Sequence, residues 1–340
     1  MSDKPRALMP AWMDANRLAI VKGELDKAGV ELVTAQFRTE EELLAVAKDV
    51  DGIYENPVHI TRHVMESLPR LRAICAMGIG YDRFDVPAAT ELGVVVINLP
   101  KVFHREVASH AIALILANVR KLRTLDIATR EGARAGTGPK RSVDAIPYHW
   151  LYGETLGLVS FGNIAREVAR MAKAFELNVI AYDPYVPAEV AAQHGVTLVP
   201  DLDTLFRESD FISVHTPLSP ETKHMIGERQ FRLMKPTSIF VNTARGGVVD
   251  EAALVRALRE GWIASAGLDV TEVEPVRGDN PLIDLENVIL TPHVAAASEM
   301  DRRERPRWLG IEMGRVLTGK WPINGLVNKK VKPRFPLTND

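Results

Sequence analysis

Short, continuous apolar runs alternate with amphipathic segments along almost the whole chain, the pattern of parallel sheets covered by helices. In the first part this predicts strands at Glu31–Ala35, Gly52–Tyr54, Leu71–Ala76 and Val94–Asn98, with helices at Glu40–Lys48 and Thr61–Ser67. Pro69 and Gly93 punctuate the joins. A long helix is predicted from about Arg105 to Arg130, apolar on most of its first half. The stretch Glu131–His149 lacks a period and reads as a surface excursion or arm. A second series follows, with strands at Thr155–Ser160, Asn178–Tyr182, Phe211–Val214, Ser238–Asn242, Ser265–Asp269 and Val288–Leu290. Helices lie between most of these, among them Asn163–Phe175 and Glu251–Glu260. After Pro292 a helical stretch runs to about Thr318, and Pro306 within it is expected to kink or break it. The polar tail LVNKKVKPRFPLTND is expected to pack loosely.

Composition narrows the class without naming a function. A chain of 340 residues with 46% apolar and 25% charged residues is long enough for two ordinary domains. A formal net charge of −2 offers no electrostatic case for nucleic acid or an anionic membrane as partner. The single cysteine, Cys75, excludes an internal disulfide framework and suits a reducing compartment. The start MSDKPRALMPAW has no signal-peptide core, and the apolar stretch His110–Val119 is about half of what a membrane span needs. The expectation is a cytoplasmic, soluble, two-domain α/β protein.

The segment LGLVSFGNIAREVARMAKAFELNVIAYDPY orders a strand, a tight turn, a helix and a second strand ending in Asp183. Dinucleotide-binding units need that order, because a helix N-terminus offers free N–H groups and a positive dipole end to pyrophosphate. An acid at Asp183 can accept from ribose hydroxyls and would repel a 2′-phosphate, which favours NAD over NADP. The fingerprint G-x-G-x-x-G/A reads as Ser160-x-Gly162-x-x-Ala165, with the central glycine in place. Ser160 must make the tight turn with a Cβ present, and its hydroxyl either crowds or contacts the phosphates. The plain alternative is an ordinary β/α turn of a doubly wound domain.

Three later segments carry candidate chemistry. In IFVNTARGGVVDE, Arg245 follows a strand and precedes two glycines; in AGLDVTEVEP, Asp269 ends a strand and Glu274 sits in the loop; in VILTPHVAAAS, His293 follows the last strand. Ligands of parallel sheets bind at such carboxyl ends. A histidine with a carboxylate partner can exchange a hydroxyl proton, and an arginine can grip a carboxylate and polarise a carbonyl. Singly, each has a plain reading: a surface arginine, a loop acid, a helix-capping histidine. Together at successive strand ends they describe a site for hydride transfer at a hydroxy acid.

With these motifs the chain resembles the D-isomer-specific 2-hydroxyacid dehydrogenases. The landmarks are MGIGYDRFD, VASHAIALILANVRKL, HTPLSPETKHMIG, VNTARGGVVDEAAL, GLDVTEVEP and LTPHVAAAS, continuous from about Leu71 to Asn328. The resemblance implies two Rossmann-like, doubly wound domains with the active site in the cleft between them. Residues 1–102 with 297–340 would form a flavodoxin-like substrate domain, and 103–296 the NAD-binding domain. It implies a catalytic set of Arg245, Glu274 and His293, and substrate-carboxylate contacts from the Gly78–Ile79–Gly80 loop together with Arg245. Cofactor contacts would come from Ser160, Gly162, Asn163, Ile164, Asp183, His215, Thr216, Pro217, Thr222, Thr243, Ala244 and Asp269, the last toward the nicotinamide carboxamide. It further implies NAD(H), no metal, and a homodimer formed through the nucleotide-binding domains and an arm within Arg105–His149.

The departures shape the substrate expectation. Asn163 stands where relatives often carry arginine. In YENPVHIT, Glu55 and Pro57 stand where phosphoglycerate-type enzymes carry basic residues, so a non-phosphorylated acid of the glyoxylate or hydroxypyruvate kind is expected. Lys101, His104 and Arg105 either supply compensating charge or are solvated surface residues. Phosphoglycerate dehydrogenase activity is the alternative substrate. An NAD(H)-sensing interaction protein of the same fold is the alternative of another class. Formate dehydrogenase chemistry expects glutamine beside the histidine, and Glu274 speaks against it.

Overall fold

The computed structural model describes residues 4–138 and 148–339. The chain divides into two compact units, Met1–Phe103 with Ala297–Asp340, and His104–Ala296. Residues 139–147 of the predicted excursion lie outside the described residues.

The first unit runs β1 (Arg6–Pro10), α1 (Ala15–Lys27), β2 (Glu31–Ala35), α2 (Glu40–Val46), β3 (Gly52–Tyr54), α3 (Arg62–Ser67), β4 (Ala73–Cys75), α4 (Val86–Glu91) and β5 (Val95–Ile97). The last helix of the chain, α12 (Glu299–Leu317), completes it. Its five strands are parallel in the order β2-β1-β3-β4-β5. Strands β3 to β5 are buried on both faces, which is why they read as unbroken apolar runs. One face packs Leu8, Ile53, Ile74 and Val96 against Leu43, Val64 and Ala88. The other is covered by α1 and α12. These helices approach closely because Gly310 and Gly314 share one face of α12. A Cβ at Gly310 would lie 2.6 Å from the Glu24 Cβ, and one at Gly314 would lie 2.9 Å from the Ala28 Cβ.

The second unit continues with α5 (His104–Val119), α6 (Leu122–Ala135), β6 (Thr155–Val159), α7 (Asn163–Ala174), β7 (Asn178–Tyr182), α8 (Ala188–Gln193), β8 (Thr197–Leu198) and α9 (Leu202–Glu208). Then come β9 (Phe211–Val214), α10 (Glu228–Leu233), β10 (Ile239–Asn242), α11 (Glu251–Arg259), β11 (Ser265–Leu268) and β12 (Val288–Leu290). The seven strands are parallel in the order β12-β11-β10-β9-β6-β7-β8. Chain direction across the sheet reverses between β6 and β9, the switch point where such sheets bind nucleotides. Both units are therefore doubly wound α/β sheets, as the alternating pattern predicts.

Four details differ from the pattern. The predicted helix Arg105–Arg130 is two helices, α5 and α6, because Lys121 takes a left-handed conformation at φ 52°. Helix α12 starts at Glu299 and runs through Pro306 without ending there. The lost backbone bond is outweighed by fully buried Leu309, Met313 and Val316 on the following turns. The tail is not loose: Asn328 accepts from the Val96 N–H and donates to the Val94 carbonyl, both at 2.9 Å, while Val327 donates to Val96. It thereby occupies the outer edge of β5 that would otherwise be unpaired. Strands β1 and β8 and helices α1 and α4 are additional to the predicted elements.

Candidate active site

In the second unit β6 ends at Val159, and the chain turns through Ser160, Phe161 and Gly162 into α7. Ser160 sits at φ 73°, the left-handed region that a glycine occupies at lower cost. Its hydroxyl meets the Thr216 hydroxyl at 2.9 Å, and Thr216 donates to the Val159 carbonyl at 3.2 Å. Gly162 caps α7 with no side-chain bond, and no described residue accepts from the N–H groups of Gly162, Asn163 and Ile164. A Cβ at Gly162 would meet no protein atom within 4 Å. This is the donor set a pyrophosphate requires: unsatisfied amides, a helix N-terminus and room for close approach. The Ile164 side chain packs toward the core, so its part in that set is its amide.

Asp183, just past β7, accepts from the Phe161 amide at 2.8 Å through one oxygen and from the Tyr185 amide at 2.9 Å through the other. Each oxygen keeps a lone pair for a ribose hydroxyl. At the end of β9, His215 bonds Ser213 at 3.0 Å, and burial pushes its pKa down to about 3. Its ring is therefore neutral. The Thr222 hydroxyl donates to the Pro217 carbonyl at 2.7 Å and so closes the turn between them. Beyond β10 the Thr243 hydroxyl is buried without a partner among the described residues, whereas Ala244 spends its amide on Asn242.

The candidate proton-handling pair is formed. His293 Nδ1 lies 2.7 Å from Glu274 Oε2, and the other Glu274 oxygen accepts from the Thr271 amide at 3.3 Å. His293 is in a loop at φ 52°, not at the start of a helix. Asp269 fixes that loop. Its buried carboxylate accepts from Thr291 at 2.6 Å, the Val294 amide at 2.9 Å and the Ala295 amide at 2.8 Å. Because Thr291 gives its one proton to Asp269, its 3.0 Å contact with His110 Nε2 is a bond donated by the imidazole. His110 opens the apolar stretch of α5 and is not among the site residues expected from the sequence. Asp269, Glu274 and His293 line a cavity of about 430 Å³ with Thr271, Pro275, Val276, Leu290, Thr291 and Pro292.

Arg245 follows β10, where Asn242 donates to its carbonyl at 3.0 Å and so sets the turn. Gly246 then lies directly against the backbone of Thr271: an added Cβ would fall 2.0 Å from the Thr271 carbonyl oxygen. In the first unit the Gly78–Gly80 loop is tied by its carbonyls, Gly78 accepting from the Leu99 amide at 2.9 Å and Ile79 from the Asn98 side chain at 2.8 Å. No described residue accepts from the amides of Gly78, Ile79 and Gly80. Glu55 holds the start of this loop by accepting from the Met77 amide at 2.9 Å, and its other oxygen lies 4.0 Å from Arg83.

Residues 112–295 match the family profile described as D-isomer specific 2-hydroxyacid dehydrogenase, NAD binding domain. The chain belongs to the D-isomer-specific 2-hydroxyacid dehydrogenase family. The matched domain is the NAD-binding one, and NAD(H) is the cofactor. The chain is 43% identical over 278 residues to a glyoxylate reductase of Korarchaeum cryptofilum, covering 82% of each chain. It is 41% identical over 301 residues to a D-3-phosphoglycerate dehydrogenase of Methanocaldococcus jannaschii, covering 88% of this chain but 56% of that one. The chain thus spans little more than half the length of that relative. Among solved structures it is similar to a glyoxylate reductase from Paecilomyes thermophila, with a TM-score of 0.83 and 29% identity over 96% of this chain and 98% of that one. No helix among the described residues is long and apolar enough to cross a membrane.

Proposed function

We propose that this dehydrogenase interconverts a small, unphosphorylated 2-keto acid and its D-2-hydroxy acid, of the glyoxylate and hydroxypyruvate kind. The observation that carries the reading is the His293–Glu274 pair at 2.7 Å beside the cavity. Glu274 holds the imidazole in one orientation, so that Nε2 can exchange a proton with the C2 oxygen. Bound NADH supplies the hydride. Arg245 polarises the carbonyl and grips the carboxylate, while in the first unit the amides of Gly78, Ile79 and Gly80 have no acceptor among the described residues and could receive an anionic group. Asp269 keeps the His293 loop in place and offers its remaining lone pair to the nicotinamide carboxamide.

The negative Glu55, bonded to the residue that begins the Gly78–Gly80 loop, supports an unphosphorylated substrate, since a phosphate beside it would be repelled. The relatives named phosphoglycerate dehydrogenase keep that substrate as the alternative. A homodimer in the cytoplasm completes the reading. Helix α6 exposes Leu122 and Ile127, and the segment after residue 147 exposes Tyr148, Trp150 and Tyr152, apolar surface of the kind a second copy would cover.

The test is NADH oxidation with glyoxylate, hydroxypyruvate, pyruvate, phenylpyruvate and phosphohydroxypyruvate, with His293→Ala as control. Turnover of the unphosphorylated acids that the substitution abolishes supports the reading. A preference for phosphohydroxypyruvate would replace the substrate. Silence on every acid with NADH still bound would point to a nucleotide-sensing role.

A further inference from the structure

The same unit contains a second histidine–glutamate pair that takes no part in the cavity. His224 Nε2 lies 2.6 Å from Glu272 Oε1, and neither residue lines the space beside His293. The pair joins three loops at the carboxyl ends of β9, β10 and β11. His224 belongs to the loop after β9 and adopts φ 52°, a costly conformation for a residue with a Cβ. Its amide donates to the Gly247 carbonyl at 2.9 Å, and Ile226, two residues on, forms a parallel bridge with Val249. His224 is thereby fixed to the loop that carries Arg245. Glu272 lies in the turn between Asp269 and Glu274, and its amide donates to Glu251 Oε2 at 2.8 Å at the head of α11. The Gly246 contact with the Thr271 backbone brings these two loops together with no side chain between them.

We propose that His224 and Glu272 form a positioning pair that holds the Arg245 loop against the turn bearing Glu274. The inference rests on the reading that Arg245, Glu274 and His293 carry the reaction. A shape contact at Gly246 sets how near the two loops lie but resists sliding poorly. A charge-assisted hydrogen bond across them supplies the missing direction. Sliding there would displace the guanidinium and Glu274 relative to each other while leaving the cofactor turn at Gly162 untouched. Misplacement on the ångström scale is enough to slow a reaction of this kind without weakening cofactor binding.

The test uses the full chain with His224→Ala, Glu272→Ala, the double variant and the conservative Glu272→Gln. The expected result is a fall in kcat of about tenfold or more in each alanine variant. The NADH dissociation constant should stay within about twofold, and the double variant should lose no more than either single one. Glu272→Gln keeps an acceptor for the imidazole and should restore most of the rate. Unchanged kcat, additive losses, or a rate loss that follows NADH affinity would overturn the proposal. Should the wild-type chain reduce none of the acids, the functional reading fails, and amide exchange over residues 269–276 decides the pair alone. Faster exchange in both single variants, no faster in the double, would uphold the latch; unchanged exchange would dismiss it.

Discussion

The hydroxyls of Ser160 and Thr216 lie 2.9 Å apart at the turn where a dinucleotide fingerprint asks for glycine. Thr216 gives its proton to the Val159 carbonyl, so Ser160 donates to Thr216 and the two hydroxyls form a directed chain. The bond offsets the left-handed strain of about 1–2 kcal/mol. Ser160→Gly should therefore stay within about 1 kcal/mol of wild type, as strain relief is balanced by the lost bond and by backbone entropy. Ser160→Ala keeps the strain and loses the bond, and should destabilise by about 1 kcal/mol. Urea unfolding of the two variants checks this, and a Ser160→Gly chain much more stable than wild type would show that the hydroxyl contributes nothing.

Removal of the proposed proton-transferring group should be felt in turnover and not in cofactor affinity. His293→Ala is expected to lower kcat by about 10²–10⁴ with NADH binding retained. Glu274→Gln preserves a hydrogen-bonding partner for Nδ1 without the charge, and should cost less than His293→Ala. Steady-state kinetics with a fluorescence titration of NADH separate the two effects.

Asp183 has two duties, and Asn can fulfil only one. An Asn oxygen still accepts from the Phe161 amide, but its NH2 cannot accept from the Tyr185 amide, so the turn should remain folded at a cost of about 1 kcal/mol. The loss of charge removes the repulsion toward a 2′-phosphate, and Asp183→Asn should narrow the preference for NADH over NADPH by about tenfold. The ratio of kcat/KM values for the two cofactors reads this directly.

A pH effect is expected far from the reacting pair. Glu154 is pushed up from 4.5 to about 7, first by its hydrogen bond with Asp210 and then by burial. Burial also pushes Asp210 upward, but hydrogen bonds from Glu154, Lys235 and the Thr155 amide hold it below its ordinary value. A carboxyl raised in the folded state contributes stability that is complete below its unfolded value and is lost as pH rises through about 7. Wild type should thus lose melting temperature between about pH 4.5 and about pH 7 relative to Glu154→Gln. Parallel melting curves for the two would remove Glu154 as the cause.

The covalent order of elements was legible wherever a strand is buried on both faces or a loop carries a motif. Strands β7, β9 and β12 begin and end at the predicted residues. Strand β1 escaped because its apolar core is short and framed by Arg6 and Pro10, and β8 is only two residues long. The break at Lys121 has no glycine or proline to announce it. Arg245, Glu274 and His293 stand out because each follows a strand. His110 is hidden as one polar residue in an apolar helix, and its bond to Thr291 spans 181 positions. The partnership of His224 with Glu272 spans 48 positions and depends on backbone angles that neither residue advertises.

The return of α12 and the tail to the first unit sets an order of events during synthesis. A ribosome releases the whole of His104–Ala296 before it makes the helix that covers one face of β4 and β5. Until then α1 lacks the glycine face it packs against, and the edge of β5 lacks Asn328. The nascent first segment must therefore wait, with an apolar sheet face and an open edge exposed, while the nucleotide-binding unit folds behind it. That interval is when the chain is most open to chaperone capture or to pairing with another copy of itself.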